Sequence, residues 1–280
     1  MQKTLKKYFP VFLLPTVIAF CIAFIIPFVT GLYLSFCDFT TVSNAKFVGF
    51  ANYIKAFSSS QRFGQAFGFT TLFTIISIIT VNIIAFTLAY LLTRKIKGTN
   101  FFRTVFFMPN LIGGIVLGYT WQSMINAVLA KYGTTLVADA KYGFIGLIIL
   151  MNWQMIGYMM IIYIAGLQNV PTELIEASKI DGATKWQTLR HVTIPMVMPS
   201  ITICLFLTLS NSFKLYDQNL ALTAGAPMHK TEMLALNIVN SFYGRSNFEG
   251  VGQTKAVMFF IVACIALSQL YYTRKREVEQ

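Results

Sequence analysis

The polar side chains of this 280-residue chain are few, and they gather where their types and spacing could do chemistry. Asn211, Lys214, Asp217 and Gln218 lie inside one apolar run, spaced i, i+3, i+6 and i+7. On a continuous helix they would share one face, with Lys214 and Asp217 close enough to pair across a turn. Charges are costly in lipid and usually line a pathway. The alternative places the pair at the outer interface, with Lys214 snorkelling toward water. A second group, Asn152, Trp153, Gln154 and Tyr158, combines amides, a hydroxyl and aromatic faces. That set suits sugar rings, with their C–H faces and hydroxyl rims, and equally suits anchoring a span at the membrane interface. Asn82 and Gln122 read as helix–helix bridges, Gly114-x-x-x-Gly118 as a close-packing stripe, and Asn110 beside Pro109 as a further candidate to line a cavity.

Nothing in the chain assembles a catalytic set. His191 and His229 are the only histidines, and neither has a nucleophile or metal partner nearby in sequence. Cys21, Cys37, Cys204 and Cys264 show no metal or redox spacing. No G-x-x-x-x-G-K-[ST] loop is present, so the chain is not expected to hold ATP in the P-loop manner, and no cofactor or metal is expected on it.

The elements that must position these groups follow from composition. Charged residues make up 11% of the chain, hydrophobic residues 56%, and the mean hydropathy is +0.63. A soluble domain carries about a quarter charged residues, and this chain cannot clothe a globule with so few. Six apolar runs near 11–36, 66–92, 105–125, 144–167, 196–222 and 256–272 predict an all-α membrane protein with six transmembrane helices in a single domain spanning 1–280. The first run is too long for a signal peptide, and no small-residue cleavage site follows it. Thirteen bases fall on one side of these spans: Lys3, Lys6, Lys7, Arg94, Lys95, Lys97, Arg103, Lys179, Lys185, Arg190, Arg274, Lys275 and Arg276. Eight fall on the other: Lys46, Lys55, Arg62, Lys131, Lys141, Lys230, Arg245 and Lys255. The positive-inside rule puts the first side, with both termini, in the cytoplasm. The net charge of +12 is thereby a topology signal rather than a nucleic-acid signal.

One cytoplasmic loop, 168–195, has a pattern of its own. Pro171 suits a first helical turn, and Glu173 and Glu176 complement its positive end. Asp181-Gly182 should break this helix near Ile180. Thr184 and Gln187 have capping-box spacing for a second helix, which Pro195 would end. Two short helices around a tight turn fit either a solvated or lipid-surface pair or a rigid docking knob.

At this point the sequence resembles a known family. Glu176-Ala-Ser-Lys-Ile-Asp-Gly-Ala183, with Ile194-Pro195 and Pro199, resembles the EAA motif of binding-protein-dependent ABC importer permeases. Phe47-Val-Gly-Phe-Ala-Asn-Tyr53, Phe101-Phe-Arg-Thr-Val-Phe-Phe-Met-Pro109, Gly166-Leu-Gln-Asn-Val-Pro171 and Leu222-Thr-Ala-Gly-Ala-Pro227 are similar to segments of its carbohydrate branch, of the maltose or glycerol-phosphate first-permease type. The chain departs from the pattern at Ser178, where the family has alanine, at Ala226, where glycine is usual, and over Val251–Ala256.

The resemblance implies a type I ABC importer transmembrane subunit, multi-pass in the cell membrane of a prokaryote. Glu176, Ala177, Ser178, Asp181, Gly182 and Ala183 would couple to an ATPase. Asn211, Lys214, Asp217, Gln218, Asn152, Trp153 and Tyr158 are the candidate substrate pathway. The implied partners are a second homologous permease, two cytoplasmic ATPase subunits carrying ATP and magnesium, an extracellular solute-binding protein and a carbohydrate. The alternatives are a charged cargo such as glycerol phosphate or a uronide, or an ion-coupled secondary transporter. The latter leaves the EAA segment unexplained and would often show two similar halves, which this chain does not.

Overall fold

The computed structural model of the chain describes residues 2–94, 97–243 and 249–274. Lys95, Arg245, Lys275 and Arg276 lie outside the described residues, as do the side chains of Lys3, Lys6, Lys7, Cys264 and Arg274. Helix α1 (Gln2–Phe20) runs through a π-helical turn, Cys21–Ile25, into α2 (Ile26–Leu34). A two-residue hairpin follows, with β1 (Cys37–Asp38) antiparallel to β2 (Lys46–Phe47) and Cys37 opposite Phe47. Then come α3 (Ala51–Ala56), α4 (Phe63–Leu92), α5 (Thr99–Phe107), a 3₁₀ turn at Met108–Leu111, α6 (Gly114–Leu129) and α7 (Ala140–Gln168). The loop of special pattern forms α8 (Thr172–Ile180) and α9 (Lys185–Thr188), then a π-helical turn, Leu189–Thr193, leading into α10 (Ile194–Met196). The chain continues as α11 (Met198–Phe213), α12 (Asp217–Leu222), α13 (Leu234–Tyr243) and α14 (Glu249–Arg274).

Leu13–Leu34, Phe63–Leu92 and Ala140–Gln168 are each long and apolar enough to cross a bilayer. The expected third and fifth spans are not straight helices. Thr99–Leu111 and Gly114–Tyr132 meet at 102°, and Lys185–Met196 and Met198–Phe213 meet at 70°. Proline supplies the cause in both, since its ring crowds the carbonyl four residues back and it donates no hydrogen bond. Pro109 opens the 3₁₀ break, and Pro195 and Pro199 flank the second bend. The two π turns obey the same rule: Pro27 and Pro195 each stand four residues after the middle of a π turn, at Ala23 and His191. The sixth expected span falls within α14.

Contacts divide the chain into two compact units. One comprises Met1–Phe63 with Ile238–Phe260. Asn52 ties it locally, donating to the carbonyls of Cys37 (2.8 Å) and Ser35 (3.2 Å), and Thr254 donates to Ser35 O at 2.9 Å. Here the sequence expectation for Lys255 fails. Counted among the bases of an outer loop, it lies on the second turn of α14 and is fully buried. Its Nζ donates to Ser241 Oγ (2.7 Å), Gln61 O (3.1 Å) and Gln61 Oε1 (3.2 Å). It is a structural lysine and carries no topology information.

The other unit comprises Gly64–Asn237 with Ile261–Gln280. Its core contains Phe73 and Val81 of α4, Leu147, Leu150, Met159 and Tyr163 of α7, and Cys204 of α11. Ile75, Ile79 and Ile83 form an α4 stripe that is 51–62% exposed, as a lipid-facing surface requires. Inside, Asn82 bridges three helices: its Oδ1 accepts from Tyr163 Oη at 2.7 Å and its Nδ2 donates to Thr208 Oγ1 at 3.2 Å. A buried polar group in lipid needs such partners, and Asn82 is the bridge its isolation in the sequence implied.

Candidate functional site

The loop after α7 folds as a closed helix–turn–helix. Pro171 precedes α8 with extended backbone, as a residue without an N–H can at a helix start. At the far end, Gly182 N donates to Lys179 O (3.1 Å) and Ala183 N to Ser178 O (2.9 Å), while Gly182 has φ +80°. This is a Schellman cap, and only glycine takes that backbone without strain. Thr184 and Gln187 then complete the capping box: Gln187 N donates to Thr184 Oγ1 (3.3 Å) and Thr184 N to Gln187 Oε1 (2.7 Å). Ser178 is buried, and its Oγ lies 3.0 Å from Thr188 Oγ1, clasping α8 to α9. Glu176, Ala177, Asp181 and Gly182 are exposed and Ala183 is half-buried, so the outer face of α8 and the turn are open.

The second feature is a cavity of about 590 Å³ in the same unit. Asn110 from the break before α6, Gln154 and Tyr158 of α7, and Asn211, Lys214, Tyr216, Asp217 and Gln218 around the end of α11 line it. Asn211, Lys214, Asp217 and Gln218 do not share the face of one helix. α11 stops at Phe213, residues 214–216 are non-helical, and α12 starts at Asp217. The expected Lys214–Asp217 pair is consequently absent: among the described residues neither has an ion-pair partner within 4 Å, and both are exposed. The break turns the backbone so that both charges face the cavity separately.

Glycines place α12. A Cβ on Gly114 would stand 2.8 Å from Asp217 Cβ, and one on Gly118 would stand 2.5 Å from Ala221 Cβ. Gln122, one turn further, donates to Leu222 O at 2.9 Å. The stripe expected to pack helices thus seats α6 against the short helix that carries Asp217 and Gln218. Gln218 Nε2 donates to Gln154 Oε1 at 2.7 Å, fixing both amides at the cavity wall.

Two candidates do not reach the cavity. Asn152 donates to Thr80 Oγ1 (3.0 Å) and Ile148 O (2.8 Å), on the side of α7 toward α4. Trp153 packs edge-on against Trp121, with ring centroids 5.4 Å apart, and is 42% exposed. On α7 the cavity takes the i, i+4 pair Gln154 and Tyr158, and residues 152 and 153 point elsewhere by helical geometry. Tyr216 was missed because nothing in its neighbourhood marks the break.

Against known proteins, the family described as "Binding-protein-dependent transport system inner membrane component" matches residues 99–274. The chain belongs to this family. It is a multi-pass membrane permease, and the matched stretch contains the loop, the cavity and the glycine stripe. The permease is 44% identical over 277 residues to the probable starch degradation products transport system permease protein AmyD of Thermoanaerobacterium thermosulfurigenes, covering 96% of this chain and 94% of that one. It is 30% identical to the multiple sugar-binding transport system permease protein MsmF of Streptococcus mutans, over 99% of both chains. Its fold is similar to that of a bacterial ABC transporter involved in the import of the acidic polysaccharide alginate, with TM-score 0.80 and 21% identity over 98% of each chain. The helical membrane fold expected from the apolar runs, and its importer type expected from the EAA resemblance, are therefore those of the permease.

Proposed function

We propose that this permease is the transmembrane subunit of an ATP-driven importer that passes a sugar, delivered by an extracellular solute-binding protein, into the prokaryotic cytoplasm. The observation that carries the reading is the capped, exposed α8–α9 knob, linked by a short turn to α7 and through the bend at Val197 to α11, the two helices that line the polar cavity. Two cytoplasmic ATPase subunits, which bind ATP and magnesium, engage this knob and that of a second homologous permease. Glu176 and Asp181 supply charge for basic partners, and the Gly182 turn allows close approach.

ATPase closure moves the knob, and α7 and α11 transmit the motion to the cavity in an alternating-access cycle. The cavity offers amides, two phenols, an ammonium and a carboxylate, which match hydroxyl groups able to donate and accept. The names of the starch-product and multiple-sugar relatives support a carbohydrate cargo.

A second reading, an anionic sugar derivative, is favoured only by the free ammonium of Lys214. Uptake of labelled neutral and acidic sugars by proteoliposomes holding the complete assembly decides between them. Import of a neutral oligosaccharide that requires ATP and the binding protein supports the first reading. Uptake driven by an ion gradient without ATP contradicts both.

A further inference from the structure

A second cavity, of about 540 Å³, opens between the end of α4, the end of α7 and the α8–α9 loop. Arg94, Lys179 and Lys185 line it, and none of the loop's three carboxylates, Glu173, Glu176 or Asp181, does. Its back wall is apolar, with Leu167, Val170 and Ile175. The Arg94 guanidinium lies 4.6 Å from the Tyr90 ring centroid, a cation–π contact between two residues of the cavity lining. Three cations around one apolar-backed cavity repel one another, and among the described residues none has an ion-pair partner within 4 Å. Arg94 follows the last turn of a 30-residue apolar helix, so a bilayer spanned by that helix would bring its anionic headgroups near the cavity.

We propose that this cavity binds a phosphate-bearing anion, whose oxygens bridge Arg94 to Lys179 and Lys185 and so tie the coupling loop to the end of a membrane span. The same chemistry is offered by an anionic phospholipid of the inner leaflet or by a free phosphate compound. The inference uses the cytoplasmic orientation of the loop and is independent of the cargo.

The test uses the complete purified transporter. Phosphatidylglycerol retained in otherwise phosphatidylcholine nanodiscs is counted by native mass spectrometry, and inorganic phosphate binding is measured by equilibrium dialysis without anionic lipid. The variants are R94Q and the triple R94Q/K179Q/K185Q, with K131Q as a distant control. The expected result is retention of at least one probe by the parent and K131Q. Binding falls about fivefold in R94Q and on the order of a hundredfold in the triple variant. Retention of phosphatidylglycerol alone assigns a lipid, and binding of inorganic phosphate assigns a soluble anion. Equal binding by parent and variants, or no binding by the parent, overturns the proposal. So does a triple variant that sheds its ATPase subunits while binding both probes as before, since the cations would then belong to that interface. R94Q lies outside the loop and keeps the test decisive if the triple variant fails to assemble.

Discussion

Ser178 Oγ and Thr188 Oγ1 lie 3.0 Å apart, joining the two helices of the cytoplasmic loop through a buried hydroxyl pair. Ser178 Oγ also donates to Ile175 O at 2.8 Å. The serine that departs from the family alanine therefore adds a clasp to the knob. Ser178→Ala should loosen it by about 1 kcal/mol, the usual net worth of one hydrogen bond. Ser178→Leu should cost more, about 1–3 kcal/mol, because a larger side chain must enter a packed contact. Thermal unfolding of the purified complex checks the order, with the parent most stable and the leucine variant least.

Gly182 has φ +80° and nothing within 4 Å of a Cβ built on it. Gly182→Ala therefore meets strain without a clash and should cost about 1–2 kcal/mol locally. The expected outcome is a complex that assembles and melts near the parent temperature but shows reduced coupling of ATP hydrolysis to uptake. Parent-level coupling in that variant would show that the turn geometry does not matter.

Gly118 faces Ala221 so closely that Gly118→Val must push α12 away from α6. Uptake should fall sharply, with a stability loss of about 1–3 kcal/mol. Gly64→Ala, at a position with open space around it, is the matched control and should change little.

Within the cavity, Gln154→Leu removes the acceptor for Gln218 Nε2 and should raise the KM for the sugar. Asp217→Asn should do the same if the carboxylate receives sugar hydroxyls. Trp153→Phe should leave the KM unchanged, because Trp153 packs on Trp121 away from the cavity. Transport kinetics across these three variants test the assignment of the wall. Lys214→Ala should lower the rate without altering the ranking of neutral sugars; a switch in ranking would favour the anionic cargo.

The sequence pattern was most legible where the physics is local. The Thr184–Gln187 capping box and the Asp181-Gly182 stop depend on residues three or four apart, and both appear where those residues stand. The Gly114–Gly118 stripe could be read as packing, but not as packing specifically on Ala221 and Asp217, since the partner is about a hundred residues away. Asn211, Lys214, Asp217 and Gln218 do not share the face their spacing implies, because helical spacing holds only within one helix. The break at 214–216 contains no proline or glycine to announce it. Lys255 was likewise hidden: its acceptors, Gln61 and Ser241, come from distant segments, and only tertiary structure makes a lysine a core residue.

In the proposed transport cycle, the α8–α9 knob receives the ATPase's motion. The most direct measurement is cross-linking of a cysteine at Ala177, exposed on α8, to a cysteine in the groove of a co-expressed ATPase subunit. The expected result is a cross-link that blocks uptake when formed, with uptake restored when it is reduced. A complex that transports while never forming the cross-link, with groove cysteines tried along its length, would contradict it.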